Sequence, residues 1–219
     1  MTLKAVVFDF DETLYHVGEY PSLIADTYQQ VSSLIQKKLH LSAEKAMEKL
    51  LFYEDKYGTP FAGLLQDYGI PISEQSYVVD VSCVDKKPHL KKQLDDITEQ
   101  KILFTNGLSC YFSLALKQMG IEDCFDAILS SDDFGKYPKP HPYAFQLLLE
   151  KIGFLPTECV LFEDSFRNIQ IAKTMGFTTV LCHKLKSYDP SVVDFCIQDI
   201  DGELTPVLNR VRFKLNQLK

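Results

Sequence analysis

The chain of 219 residues is 46% hydrophobic and 24% charged, proportions that argue against a disordered or fibrous polymer and suit one sizeable domain with a smaller appendage. Its 30 acidic against 23 basic residues leave a formal charge of −7, which argues against a long nucleic acid as partner unless basic groups gather on one face. A small phosphorylated substrate stays admissible, because one bound divalent cation reverses the sign of the local field.

The chain starts with MTLKAVVFDFDETLY, whose carboxylates interrupt the apolar run and which has no small-residue cleavage site, so a secretory signal is not expected. No stretch approaches the ~18 apolar residues of a membrane span. The cysteines, Cys83, Cys110, Cys124, Cys159, Cys182 and Cys196, are widely spaced without a C-x-x-C pair and read as reduced thiols in a cytoplasmic protein.

Lys4 to Phe8 reads as a buried strand that runs straight into Asp9 and Asp11. Carboxylates at a strand end cost several kcal/mol each unless a cation or strong hydrogen bonds compensate them, so a metal ion is one expectation and simple loop capping the other. From about Tyr15 to Lys87 the composition turns to helix formers with no comparable buried strand, which predicts a helical insertion at residues 15–87. Emerging from the C-terminal edge of the first strand, it would cover the edge where open α/β sheets bind ligands. Pro88 to Asp96 then returns as a helix with proline at its start.

Lys101 to Phe104 reads as a second strand, ending in Thr105, Asn106 and Gly107, whose hydroxyl and backbone N–H groups suit phosphate oxygens but which also spell a common turn. A helix over Ser109 to Met119, a weaker strand over Ala127 to Ser130 and a helix over Pro142 to Ile152 follow. The intervening Lys136-Tyr137-Pro138-Lys139-Pro140 is a stiffened loop whose lysines either balance gathered carboxylates or lie in solvent. Cys159 to Phe162 is the next strand and ends in Glu163 and Asp164; Ser165 to Met175 is a helix, and Thr178 to Cys182 a last strand. Gly120, Gly153 and Gly176 follow the three helices as C-terminal stops. The alternation predicts a doubly wound, Rossmann-like parallel α/β sheet, with residues 1–14 and 88–219 as core and residues 15–87 as inserted cap. If the strands are parallel, Asp9, Asp11 and Asp164 face one crevice and suit a hard cation such as Mg2+, with Glu163-Asp164-Ser165 as a plain helix cap the alternative.

With Asp9-Phe10-Asp11-Glu12-Thr13, Thr105-Asn106, Lys139-Pro140 and Glu163-Asp164-Ser165 in this order, the chain resembles the haloacid dehalogenase (HAD) superfamily of phosphatases, and the insertion resembles its helical cap of the first type. The resemblance implies that Asp9 is the nucleophile and forms an aspartyl-phosphate, and that Asp11 is general acid, then base. It further implies that Asp9, the Asp11 main chain and Asp164 bind magnesium with Glu163 behind a water, and that Thr105, Asn106, Gly107 and Lys139 hold the phosphoryl group. Lys139-Pro140 fits the family pattern better than Lys136. A carboxylate at position 11 distinguishes the phosphatases from the dehalogenating members.

In the insertion, Tyr53-x-x-x-Tyr57-Gly58-Thr59, Gly63-Leu64 and Tyr68-Gly69-Ile70 are similar to the cap of pyrimidine 5′-nucleotidases, as are Tyr77 to Val81 and Phe104-Thr105-Asn106. Glu12-Thr13 and Glu163 depart from that group's frequent residues. Tyr53, Tyr57 and Thr59 would then meet a base or sugar, although tyrosines four apart also share a helical face and pack a cap against itself. His16 borders the first motif, while His40, His89, His141 and His183 are scattered and suggest no metal cluster. The function expected is hydrolysis of a small phosphorylated metabolite, a pyrimidine nucleoside 5′-monophosphate first. A sugar phosphate or phosphoglycolate comes second; a phosphomutase would need a cationic pair in the cap, which is not evident. A non-catalytic binding protein on this fold would be marked by loss of a motif residue, and none is lost. The oligomeric state is left open.

Overall fold

Six short strands alternate with helices in the computed structural model, which describes residues 2–182 and 189–217. The strands are β1 (Ala5–Phe8), β2 (Gln100–Phe104), β3 (Ala127–Leu129), β4 (Cys159–Glu163), β5 (Thr178–Cys182) and β6 (Phe195–Ile197). All pair in parallel, in the order β3-β2-β1-β4-β5-β6. Helices fill the intervals: α1 (Pro21–Leu39), α2 (Ala43–Tyr57), α3 (Pro60–Tyr68), α4 (Pro88–Asp95), α5 (Ser109–Met119), α6 (Ser131–Phe134), α7 (Pro142–Ile152), α8 (Phe166–Met175) and α9 (Ile200–Gln217).

The pleat explains why the central strands are apolar throughout. Val6, Phe8, Leu103, Val160 and Phe162 point into one hydrophobic cluster, whereas Ala5, Val7, Ile102, Phe104 and Leu161 point into another on the opposite face. Helices on both faces exclude water from both clusters, and fully burying each large aliphatic or aromatic side chain contributes about 1.5–3 kcal/mol. The helices α5, α7 and α8 end as expected, with Gly120, Gly153 and Gly176 in left-handed conformations.

Between β1 and α4 the regular elements are all helices, with α1 packed on α2 and α2 on α3, and a loop over residues 75–87 leads back to the core. Leu23, Val31, Ile35, Leu50 and Phe61 of these helices belong to the same continuous apolar cluster as Phe8 and Phe162, so apolar packing runs unbroken from the insertion into the core. The sheet extends one strand beyond the five expected. β6 is only three residues long, and α9 carries Gly202 and Pro206, so neither shows a strong local pattern. No helix among the described residues is long and apolar enough to cross a membrane. All six cysteines are free thiols.

Candidate active site

Strand order reverses at β1: the chain passes through the insertion to β2 on one side and later reaches β4 on the other. The crevice at the C-terminal ends of β1, β2 and β4 is therefore a topological switch point, where no crossover covers the strand ends. Asp9 directly follows β1 and donates its N–H to the Phe162 carbonyl at 2.9 Å. Thr105 directly follows β2, with its N–H on the Leu129 carbonyl at 3.0 Å. Glu163 ends β4, and Asp164 comes next.

Lys139 enters this crevice from the loop before α7 and is 1% exposed. Its ammonium donates to Asp9 Oδ1 at 2.7 Å, Glu163 Oε2 at 2.8 Å and the Phe104 carbonyl at 2.6 Å, which uses all three of its donors. Asn106 fixes the loop that carries it: Lys139 N–H donates to Asn106 Oδ1 at 3.0 Å, and Asn106 Nδ2 donates to the Lys139 carbonyl at 2.8 Å. Lys136 contributes only its backbone, accepting from Gln66 Nε2 at 2.8 Å, so of the two lysines only Lys139 reaches the crevice.

Asp11 takes a different course. Its Oδ1 accepts from the Tyr15 hydroxyl at 2.7 Å and the Tyr111 hydroxyl at 2.8 Å, and the two hydroxyls contact each other. Burial pushes the Asp11 carboxyl above its ordinary value, with the two tyrosine hydrogen bonds working against the shift. Glu12 follows with φ +58°, bending the chain so that its carboxylate accepts the Gly18 N–H at 3.0 Å. Neither Tyr15 nor Tyr111 is marked by a motif; Tyr15 lies close after Asp11, which is the one local sign of its role.

Asp9, Glu163 and Asp164 bring carboxylate oxygens within 4.8 Å of one another. Burial and repulsion from Glu163 push the Asp9 carboxyl up to about 7, despite the Lys139 ion pair. Burial, then Asp9 and Glu163, push Asp164 up to about 9. Although burial opposes it, the Asp9 and Glu163 charges hold the Lys139 ammonium above the usual lysine range. One ammonium thus faces several desolvated carboxylates, a charge imbalance that a divalent cation with oxygen ligands would correct. Glu163 has both oxygens engaged, Oε2 by Lys139 and Oε1 by the Ser165 N–H at 3.1 Å. Asp9 and Asp164 are the side chains left to ligate. Ser165 precedes α8 without capping it through its side chain.

Thr105, 1% exposed, accepts the Gly107 N–H at 2.9 Å through Oγ1 and keeps its hydroxyl proton to donate. The crevice opens into a cavity of about 560 Å³ that reaches the inserted helices. Its lining includes Asp9, Asp11, Thr105, Asn106, Gly107 and Lys139 from the floor, and Thr59 from the insertion. Gly58, just before Thr59, has φ +78°, and a Cβ there would lie 2.5 Å from the Lys139 carbonyl, so only glycine permits this close approach.

Tyr53 and Tyr57 are not brought to the cavity. The Tyr53 ring is 0% exposed, its hydroxyl donates to Asp67 at 2.8 Å, and Tyr57 donates to the same carboxylate at 3.2 Å. Tyr68 lies outside the lining as well. The aromatic surfaces that do line it are Tyr28, Phe61, Tyr77 and Tyr111, from helical faces and a loop without motif spacing. His16 borders a separate hollow of about 260 Å³, His89 meets Asp201 at 3.0 Å, and His141 accepts the Tyr143 N–H at 3.2 Å. His183 lies outside the described residues.

The model of the haloacid dehalogenase-like hydrolases matches residues 3–176. The chain is 29% identical over 203 residues to a glyceraldehyde 3-phosphate phosphatase of Methanocaldococcus jannaschii, covering 85% of this chain and 88% of the relative. It is 26% identical over 195 residues to an (S)-2-haloacid dehalogenase of Xanthobacter autotrophicus, covering 84% and 76% respectively. Among solved structures it is similar to a HAD phosphatase from Thermococcus onnurineus, with 25% identity, a TM-score of 0.59, and 94% of this chain and 98% of that one covered.

Proposed function

The chain belongs to the haloacid dehalogenase-like hydrolases, and from that membership we propose that it is a magnesium-dependent phosphatase of small sugar phosphates, acting through an aspartyl-phosphate on Asp9. The observation that carries the reading is the Lys139 ammonium at 2.7 Å from Asp9 and 2.8 Å from Glu163, beside the acid cluster completed by Asp164. Asp9 and Asp164 would hold the magnesium ion, with the main chain of Asp11. When bound, the ion neutralises phosphoryl oxygens and offsets the crowded carboxylates.

Asp9 Oδ1 accepts from Lys139 and keeps a second lone pair with which it would face the ion, which leaves Oδ2 to attack phosphorus. The ester P–O bond breaks, and the protonated Asp11 carboxyl gives its proton to the departing alkoxide. Asp11 then takes a proton from water, whose oxygen attacks the phosphoryl group. Phosphate leaves, and the Asp9 carboxylate is restored. Tyr15 and Tyr111 hold Asp11 in place, while the Thr105 hydroxyl and the Asn106 N–H meet phosphoryl oxygens, with the Gly107 N–H fixing Thr105 Oγ1. Asn106 acts through its side chain as the clamp on Lys139.

The carboxylate at position 11 favours phosphate esters over haloacids, because halide leaves without a proton whereas an alkoxide needs one. The helices α1 to α3 act as a cap that excludes water over the reacting centre, and among the described residues their cavity face carries no cationic pair, which disfavours a mutase. A second reading, a pyrimidine nucleoside 5′-monophosphate, is favoured by the Phe61 ring stacked on Tyr77 at 5.6 Å and by Thr59 in the lining. Free thiols throughout suit a reducing cytoplasm.

Phosphate release from a panel of esters with magnesium tests the reading. Triose and pentose phosphates should turn over, with UMP and CMP among the best substrates if the second reading holds. Chloride release from 2-chloropropionate without phosphate release from any ester would overturn both.

A further inference from the structure

The cavity has two chemically different ends. Its floor gathers the acids and Lys139, while the helices α1 to α3 contribute one charged side chain among the described residues, Glu54. Glu54 lies on α2, one turn and about 6 Å of helical rise before Gly58, and the Gly58 N–H donates to its carbonyl at 2.9 Å. Gly58 is also where the insertion touches the Lys139 backbone. Glu54 therefore lines the same cavity as Asp9 and Lys139 but from the inserted helices, the side an ester's leaving group would occupy.

Its surroundings define what it can bind. Tyr28 donates its hydroxyl to Glu54 Oε2 at 3.1 Å, which orients the carboxylate and leaves Oε1 as an acceptor. Thr27 adds a hydroxyl, and Ile24, Val31 and Phe61 make the remaining wall apolar. The other cation of the lining besides Lys139 is Arg167, an exposed side chain that spends one donor on the Asp55 carbonyl at 3.1 Å. A leaving group entering this end meets an acceptor carboxylate and no buried cation.

We propose that Glu54, oriented by Tyr28, selects phosphate esters whose leaving group presents hydroxyl or amino hydrogens and carries no negative charge. The substrate class is then the monophosphate of a neutral or amino polyol, a nucleoside included. Esters of hydroxy acids such as phosphoglycolate, and sugar bisphosphates, are rejected because a second anion is driven against a partly desolvated carboxylate. This selection rests on the phosphatase reading for its biological meaning but is measurable without turnover.

Binding of ribose 5-phosphate, 2-phosphoglycolate and fructose 1,6-bisphosphate to the Asp9→Asn protein, with magnesium present, should be measured by calorimetry beside turnover by the unaltered enzyme. Ribose 5-phosphate should bind about tenfold or more tightly than either competitor. Adding Glu54→Gln should shrink that ratio at least threefold, and Glu54→Lys should invert it; Tyr28→Phe, which keeps the charge but removes the orienting hydrogen bond, should shrink the ratio by less than Glu54→Gln, and circular dichroism of each variant should match that of the unaltered protein. Equal or tighter binding of phosphoglycolate, with a ratio unmoved by Glu54→Gln, would overturn the proposal even if esters are hydrolysed. Preferential binding of ribose 5-phosphate without turnover of any ester would sustain the selection and sink the phosphatase reading.

Discussion

The floor and the roof of the cavity are built on opposite principles. On the floor, most polar side chains follow strand ends or enter by a clamped loop, and the bonds that join them link partners remote in sequence: Lys139 to Asp9 and Glu163, Asn106 to Lys139, and Tyr111 of α5 to Asp11. In the roof, hydrogen bonds are mainly local to the insertion, as with Tyr28 to Glu54 and Tyr53 to Asp67, and packing into the shared apolar cluster supplies most of the cohesion. Changes in the floor should therefore act on chemistry, and changes in the roof on fit or on stability.

The largest effect should come from Asp9→Asn. Loss of the nucleophile should reduce kcat by about 10⁴-fold or more while leaving the folded state intact, as read by circular dichroism. Turnover within tenfold of the unaltered enzyme would remove Asp9 from the chemistry and erase the contrast. Lys139→Met should damage both quantities, because it leaves buried carboxylates without their ammonium. Breaking such an ion pair costs about 3–5 kcal/mol, so thermal unfolding should shift down by roughly 10 °C. Chelation tests the same charge balance from the other side: EDTA should abolish turnover, and restoring magnesium should raise the unfolding temperature of the unaltered protein.

Effects of intermediate size should come from the tyrosines around Asp11. Tyr15→Phe and Tyr111→Phe should each lower kcat roughly tenfold with little change in KM, since each removes one hydrogen bond that orients the general acid. The double variant should fall short of the product of the two, because both hydroxyls serve one oxygen and contact each other. Additive losses would mean that the two act on separate steps.

These residues also mark how far the sequence was readable. Asp9, Thr105, Glu163 and Asp164 stand directly after apolar runs, and a parallel sheet brings such ends to one edge, so their convergence could be inferred from local pattern. Lys139 was legible through its motif, though the reason it is held so firmly was not. Asn106 is in the cavity lining, but the use of its side-chain amide to hold the Lys139 backbone is announced by no spacing. Tyr111 lies on α5 a hundred residues from its partner, and no spacing rule links a helical face to a loop carboxylate. The roof was least readable, because its cavity face includes Ile24, Thr27, Tyr28, Val31, Glu54 and Phe61 of α1, α2 and α3, whose facing depends on how those helices pack. Short β6 and glycine- and proline-bearing α9 escaped notice because their local propensities are weak.

The smallest effect should separate structure from binding in the roof. Tyr53→Phe removes a hydroxyl donated to Asp67 at 2.8 Å while keeping a ring that is 0% exposed. Its cost should be about 1 kcal/mol or less near neutral pH, with KM unchanged within twofold. The hydrogen bonds from Tyr53 and Tyr57, aided by Lys56 and Lys49, hold the Asp67 carboxyl below its ordinary value against the effect of burial. A depressed carboxyl contributes stability above its unfolded-state pKa and loses it as pH falls through the lower folded value. The gap between the unaltered protein and Tyr53→Phe should accordingly be full at neutral pH and narrow below the usual carboxylate range, as read by urea unfolding across an acid series. A gap independent of pH would mean that the hydroxyl serves packing rather than Asp67. A several-fold rise in KM would bring Tyr53 into the binding surface through cap motion and collapse the division between floor and roof.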